Sequence, residues 1–470
     1  MSRLWIIVVF LAAPAYAADP ASQPASIPAV EKLSLADVLR LTGERFALVT
    51  DAEWQVRVQQ AQKDQAFWAF WTPIEVIGMI GGPTPEARGN GTYLRTEASL
   101  QGDLNFGKPG FFAGYRAQGA IPVMTFGKLH SLRALGKIGV TIAEANKERV
   151  KNEAKANAAR AYFGHIAAQG FLDLVGESEK TLQDALKNAE RMVQANSDQV
   201  SDNDIFMLRT LLSQLVARRA EAQAGAASAK EAIRFLTRGD EDAPLELEAV
   251  NLRLPDAPPV AVDVLQSAAH EHRAELSMAD KAVSARKEAL WIKKASLFPD
   301  FFLFGYYTQN YTSNQDYQRN PFLNNVANEW SGGIAIGARL TLDIPMKVAQ
   351  IKEAEAELHK AENQLSAADG YISLQVKKAY ADLQSARAQA LELQRAERSA
   401  KSWVISSVLN FNSGLSPAGD LFQAIRAYAE SSAMRRKAEL DYHTAVTAVA
   451  EAVGVDYLGA FELVHASRGR

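Results

Sequence analysis

Residues 330–344 alternate almost without error. Trp330, Gly332, Ile334, Ile336, Ala338, Leu340, Leu342 and Ile344 fall on one face, and Ser331, Gly333, Ala335, Gly337, Arg339, Thr341 and Asp343 on the other. A period of two predicts a strand with one face in an apolar medium and one in water. The run exceeds the ~9–11 residues of a tilted membrane strand. Residues 111–121 repeat the pattern, with Phe111, Ala113, Tyr115, Ala117 and Ile121 opposite Arg116 and Gln118. Residues 301–311 (FFLFGYYTQNY) read as an ascending partner whose aromatics suit an interfacial belt, and residues 74–81 as its counterpart. Residues 93–106 also alternate, and are either a continuation of the ascending strand or an extracellular ribbon.

Elsewhere the period lengthens. Leu358, Ala361, Leu365, Ala368, Ile372, Ala379, Leu383, Ala386, Ala390 and Leu393 recur in steps of three and four, interrupted at Gln375. This predicts a coiled-coil seam within a helix from about 348 to 410. The four–four step from Gln375 through Ala379 to Leu383 is a stutter that locally unwinds the supercoil. At ~1.5 Å per residue such a helix is roughly 100 Å long, which suits a tube across a periplasm better than a globular core.

The pattern is written twice. Residues 35–39 (LADVL) recur as 261–265 (AVDVL), 226 residues later, and Pro73 falls on Pro299 at the same offset. Ile121-Pro122 matches Ile344-Pro345 at 223, Ala161-Tyr162 matches Ala379-Tyr380 at 218, and residues 204–206 match 420–422 at 216. The offset drifts as loop indels would make it drift. Each half reads as a helix ended by proline, two strands, a very long helix, a turn and a shorter helix. The segments are 33–238, with strands about 74–81 and 110–122 and helices about 126–197 and 203–237, and 261–454, with strands about 300–311 and 329–345 and helices about 347–411 and 418–453. Residues 239–260 link the halves, and 455–470 form a tail that with the linker belts the middle of the tube.

Two strands per half give four per chain. Four cannot close a barrel, and an open edge in lipid leaves backbone groups unpaired. The strand count therefore demands oligomerisation, and a trimer supplies twelve strands. The expected fold is mainly α with a β-barrel part: a duplicated helix-strand-strand-helix-helix protomer forming a trimeric 12-stranded barrel on a long coiled-coil tunnel.

The ends and the composition narrow the class. Arg3, an apolar run over 4–13 and Ala15-Tyr16-Ala17 make a secretory signal peptide over 1–17, cleaved after Ala17, with 18–32 a flexible lead-in. The absence of cysteine excludes a disulfide framework and an N-terminal lipid anchor on that residue. A net charge of -3 argues against a nucleic-acid binder. Residues 102–108 fit G-x-x-x-x-G-K, but Pro109 and Gly110 stand where a nucleotide loop needs a hydroxyl and a helix. His270 and His272, two apart on a helix, face different ways and do not read as a metal pair. No catalytic constellation and no cofactor is expected, and any energy must come from a partner.

Over about residues 33–454 this ordered set resembles the TolC-like outer-membrane factor family. The resemblance includes residues 122–128 (PVMTFGK) at a strand-to-helix junction and Ser413-Gly414-Leu415-Ser416 before residues 420–422. Residues 345–347 (PMK) lack the glycine usual at the second junction, and the first tip, 196–200 (NSDQV), lacks the Gly-Leu pair. The resemblance implies a passive exit channel in the Gram-negative outer membrane. It works as a homotrimer in lipid, with a periplasmic adaptor and an inner-membrane pump of the RND or ABC type. It also implies an acidic periplasmic constriction, which falls here on Asp204 and Asp420 with Asp198 and Asp202 nearby, and an adaptor-contact tip at Gly414, Leu415 and Ser416. Asp204 and Asp420 equally suit capping of the returning helices. Arg116 and Arg339, with Asp343, are expected on the barrel lumen, where the arginines either tune the pore field or pair with Asp343 or Asp103. The alternative function is a soluble periplasmic coiled-coil adaptor or scaffold.

Overall fold

The computed structural model describes residues 32–71, 74–84, 110–195, 200–238, 245–250, 252, 254–255, 257–315, 327–413 and 415–465. Ala17, residues 93–106 (Asp103 among them), Asp198 and Gly414 lie outside the described residues.

Element lengths repeat between the halves. α1 (Leu35–Arg45) and α2 (Ala47–Trp68) have 11 and 22 residues, as do α5 (Val262–His272) and α6 (Ala274–Ala295). Strands β1 (Glu75–Thr84) and β2 (Gly110–Met124) correspond to β3 (Asp300–Thr312) and β4 (Trp330–Arg339). Helices α3 (Lys128–Gln194) and α7 (Ile344–Asn412) have 67 and 69 residues, and α4 (Asp202–Thr237) and α8 (Ala418–Val453) have 36 each. A short α9 (Tyr457–His465) follows.

The four strands form one antiparallel sheet in the order β1-β2-β3-β4. Among the described residues its outer strands β1 and β4 each pair on one side only. The ladder of β4 stops at Arg339, and the alternation that continues to Ile344 is not all strand. Pro345 stands in the first turn of α7, where its fixed φ favours helix, so Ile344 opens that helix.

The two sheet-to-helix junctions are built differently. Before α3, Phe126 and Gly127 both take positive φ, 49° and 89°. A Cβ at Gly127 would come within 2.6 Å of the Trp291 indole nitrogen, so only glycine fits this turn. Before α7 there is no glycine. Instead the Lys347 ammonium donates to the carbonyls of Ser296 at 2.8 Å and Thr341 at 2.6 Å and pairs with Asp343 at 3.5 Å.

Along α7 the seam is continuous. Ile372, Val376, Ala379 and Leu383 are all buried, and Val376 occupies the place assigned to an interruption at Gln375. Gln375 turns aside and accepts a 2.8 Å bond from Arg273. The stutter therefore lies at the four–four step Ala368–Ile372–Val376, about two turns (one heptad) earlier than the position read from Gln375.

Two hydrophobic cores lie along the helices. The larger one gathers Val38, Tyr162, Phe163, Ile233, Leu265, Leu383, Tyr442 and Val446 from both halves. The inter-half linker is stitched to it. Leu33 and Leu247 form a parallel bridge, Tyr162 donates to the Glu248 carbonyl at 2.8 Å, and the Val260 amide donates to Val464 at 3.0 Å. Within the tail, residues 457–465 form α9, which buries Tyr457 and Val464 in this core. The smaller core joins the two helical tips.

Two histidines tie the larger core together. His443 is bonded to the Tyr457 hydroxyl at 2.7 Å and to the Leu252 carbonyl at 3.3 Å. A carbonyl only accepts, so Nε2 carries the proton and Nδ1 accepts from Tyr457. The same logic makes His465 a donor to Phe461 O at 2.7 Å and an acceptor from Tyr442 at 2.7 Å. Burial pushes the His443 imidazole down to about 4 and lowers that of His465 as well.

Candidate functional sites: barrel wall and helical tip

Residues directly opposite in an antiparallel ladder share a face. The register therefore sorts the sheet into two surfaces. One carries Val76, Ile80, Phe111, Tyr115, Ala117, Tyr307, Tyr311, Trp330, Ile334 and Ile336. It is exposed in the isolated chain, with Ile80 at 87%, Ile334 at 80% and Ile336 at 79%. Large apolar side chains standing free along whole strands mark a surface made for another medium or partner. Toward the end remote from the helices, Gln309 accepts from the hydroxyls of Tyr115 at 2.9 Å and Tyr307 at 3.3 Å. This satisfies a polar group within an aromatic cluster.

The other surface carries Glu75, Gln118, Arg116, Thr308, Ser331, Asp300 and Arg339. Both arginines lie on it, as their alternation predicts. Arg116 stands in the row Ile77–Arg116–Thr308–Ser331. Arg339 is opposite Asp300 in register, but its guanidinium lies over the Phe302 ring at 5.4 Å. Asp300 is bound by Lys128 at 2.7 Å. Asp343 pairs with Lys347, and among the described residues neither arginine forms an ion pair with it.

At the opposite end of the helices, Ser201 caps α4. Its hydroxyl accepts from the Asp204 amide at 3.4 Å, and the Asp204 carboxylate accepts from the Ser201 amide at 2.9 Å. Asp204 thus closes a capping box at the third helical position and is not the cap itself. Asp420 holds the same position in α8 but is exposed. The cap there is Pro417, which offers no side-chain bond. Ile205 and Leu208 pack with Ala418, Leu421 and Phe422, which brings the tips together. A Cβ at Gly419 would lie 3.7 Å from Asp204 Oδ1, so the carboxylate of one tip faces the backbone beside Asp420. Asp202 is exposed in the first turn of α4. Leu415 is 79% exposed, next to the half-buried Ser416.

Sequence reasoning missed Lys128, Lys347 and the histidine–tyrosine bonds. Lys128 and Lys347 sit 219 residues apart, within the drifting repeat offset, which was the available signal. Elsewhere His270 pairs with Asp369 at 3.3 Å, and the described residues contain no cluster of metal-ligating side chains.

Residues 265–455 match the family model described as outer membrane efflux protein. No curated relative matches the chain by sequence. Several solved structures share its fold. The outer membrane protein VceC of Vibrio cholerae is 14% identical with a TM-score of 0.72, covering 90% of this chain and 96% of that one. The MtrE outer membrane channel of Neisseria gonorrhoeae, in its open state, is 17% identical with a TM-score of 0.70, covering 90% and 89%. The outer-membrane channel OprN is 16% identical with a TM-score of 0.69, covering 90% of each chain.

Proposed function

We propose that this chain, whose residues 265–455 match the outer membrane efflux protein model, is a member of that family and the exit channel of a tripartite efflux or secretion system in the Gram-negative outer membrane. The family is one of transport proteins rather than enzymes. One observation carries the reading. A sheet with one continuous apolar face and, among the described residues, two open edges stands on helices of 67 and 69 residues. In lipid the open edges must be paired, and copies of the same sheet are the available partners. Three copies close twelve strands. The polar face then lines a water-filled lumen, the apolar face meets lipid, and the helices prolong the duct into the periplasm.

The duct is passive, and transport through it is driven by an inner-membrane pump through a periplasmic adaptor. Asp204, Asp420 and Asp202 are assigned to a periplasmic constriction, because the two tips meet there and their carboxylates would ring it in a trimer. Leu415 and Ser416 are assigned to adaptor contact, because Leu415 is a large apolar side chain left bare at the extreme tip. An RND or an ABC pump would be served by the same geometry.

Fractionation and sizing test the reading. The protein is expected to sediment with the outer membrane, to require detergent, and to size as a trimer with its detergent belt. A monomer that stays in solution without detergent would overturn the channel and favour a soluble coiled-coil adaptor.

A further inference from the structure

We propose that Arg116 forms an anion-binding ring within the barrel and that the exported cargo, or a part of it, is anionic. The proposal rests on the channel reading above, since only a closed barrel brings three copies of Arg116 around one lumen.

The polar face of the sheet is unevenly charged. Asp300 is neutralised by Lys128 at 2.7 Å, whereas Glu75, one same-face row nearer the helices than Arg116, accepts from the Gln118 amide at 2.8 Å and keeps its charge. Arg339 rests on the Phe302 ring at the helix end of the barrel. Arg116 is different. It lies eight positions along β3 from the Asp300–Arg339 row, about 27 Å farther from the helices at ~3.4 Å per residue. Its cross-strand neighbours are Ile77 and Thr308, and Ser331 lies beyond Thr308 in the same row. Among the described residues no carboxylate lies within ion-pair distance of its guanidinium, which is exposed.

A guanidinium carries five N–H donors in a fixed fork, and the half-buried Ser331 hydroxyl in the same row adds one more, with Thr308 buried between them. That row offers donors and positive charge with no acid to satisfy them, which is the chemistry that recognises carboxylate, phosphate or sulfonate groups. Three such rows around a narrow lumen act together, because low-dielectric walls focus their field. The arrangement opposes the tip, where the assigned charges are acidic. An anionic cargo that passed the tip would meet a favourable site near the exit.

Anion binding to the detergent-solubilised trimer tests this without depending on whether the periplasmic constriction is open. The probe is pyrene tetrasulfonate, read by fluorescence anisotropy at fixed salt, with a cationic pyrene of equal size as comparison. Wild-type trimers are expected to prefer the anionic dye by at least about tenfold. R116Q should abolish most of that preference and R116K should keep it, while R339Q should change it less than about threefold. A wild-type trimer that binds both dyes equally overturns the ring whatever the variants do, and so does an R116Q trimer that retains the preference. Failure of the wild type to size as a trimer would instead overturn the channel reading.

Discussion

The sheet and the large helical core of this chain solve opposite problems. In the core, Val38, Tyr162, Ile233, Leu265, Leu383 and Val446 are 0% exposed within a single chain. In the sheet, Ile80, Ile334 and Ile336 are at least 79% exposed, and among the described residues neither edge strand has a partner on its outer side. The core is complete within one chain, whereas on the proposed channel reading the sheet is complete only in lipid and in company. Stability and assembly are therefore separable properties of different residues.

The largest expected effect sharpens that separation. Leu383→Ala removes a fully buried side chain at the centre of the core and should cost about 2–5 kcal/mol. It should lower the melting temperature of the helical signal in circular dichroism. Ile334→Arg places a charge on the lipid face, at a cost of about 2–4 kcal/mol per copy at mid-membrane. It should deplete trimers and outer-membrane insertion while leaving the helical melt close to wild type. If Ile334→Arg melted the helices as much as Leu383→Ala, the two regions would not be independent.

A smaller effect probes the core alone. His443 accepts from Tyr457 and donates to Leu252 only as neutral imidazole. Its folded value of about 4 lies below the ordinary 6.5. Between these values the unfolded chain binds more protons than the folded one, so stability falls as pH drops from about 6.5 to 4 and levels off below. The limit is on the order of 3 kcal/mol. His465, lowered in the same direction, adds to the fall. Chemical denaturation across this range should show the decline, and His443→Gln should flatten it. A wild-type profile level from neutral to acid pH would mean that the imidazole is not buried neutral. On the channel reading the sheet, whose described strands contain no histidine, should hold its trimer contacts through the same window.

The contrast also explains what the sequence discloses. The sheet is legible because each residue answers to a medium. Alternation places Trp330, Ile334 and Ile336 on one face and Arg339 on the other without knowledge of their neighbours, and strand count then forces oligomerisation. The long helices are legible from their three–four steps, except at Gln375, which reads as an interruption although Val376 beside it fills the seam. The breaks at Phe46 and Arg273, which divide α1 from α2 and α5 from α6, carry no proline or glycine. They arise from extended backbone at one residue held by tertiary packing, and no local signal announces them. The buried α9 and the His443–Leu252 bond were hidden for the same reason, since they depend on contacts between segments far apart in sequence. At the tip, both Asp204 and Asp420 were legible as equivalent positions, but the serine that caps one helix and the proline that begins the other make them chemically unequal.

That inequality gives the smallest effect and the finest test. Asp204 closes the capping box with Ser201 and is also assigned to the proposed constriction, while Asp420 has only the proposed role. Ser201→Ala removes the cap and leaves both carboxylates in place. It should cost about 1 kcal/mol and speed amide exchange in the first turn of α4, with little change in bilayer conductance. Asp204→Asn combined with Asp420→Asn removes both charges. It should raise the leak of small solutes and blunt block by multivalent cations, because the ring that holds those ions is gone. If Ser201→Ala opened the leak as far as the double variant, the tip would be closed by helix order rather than by charge. If neither changed conductance, the carboxylates would serve folding alone. Asp420→Asn by itself decides between charge and cap most directly, since it alters a carboxylate that no cap depends on.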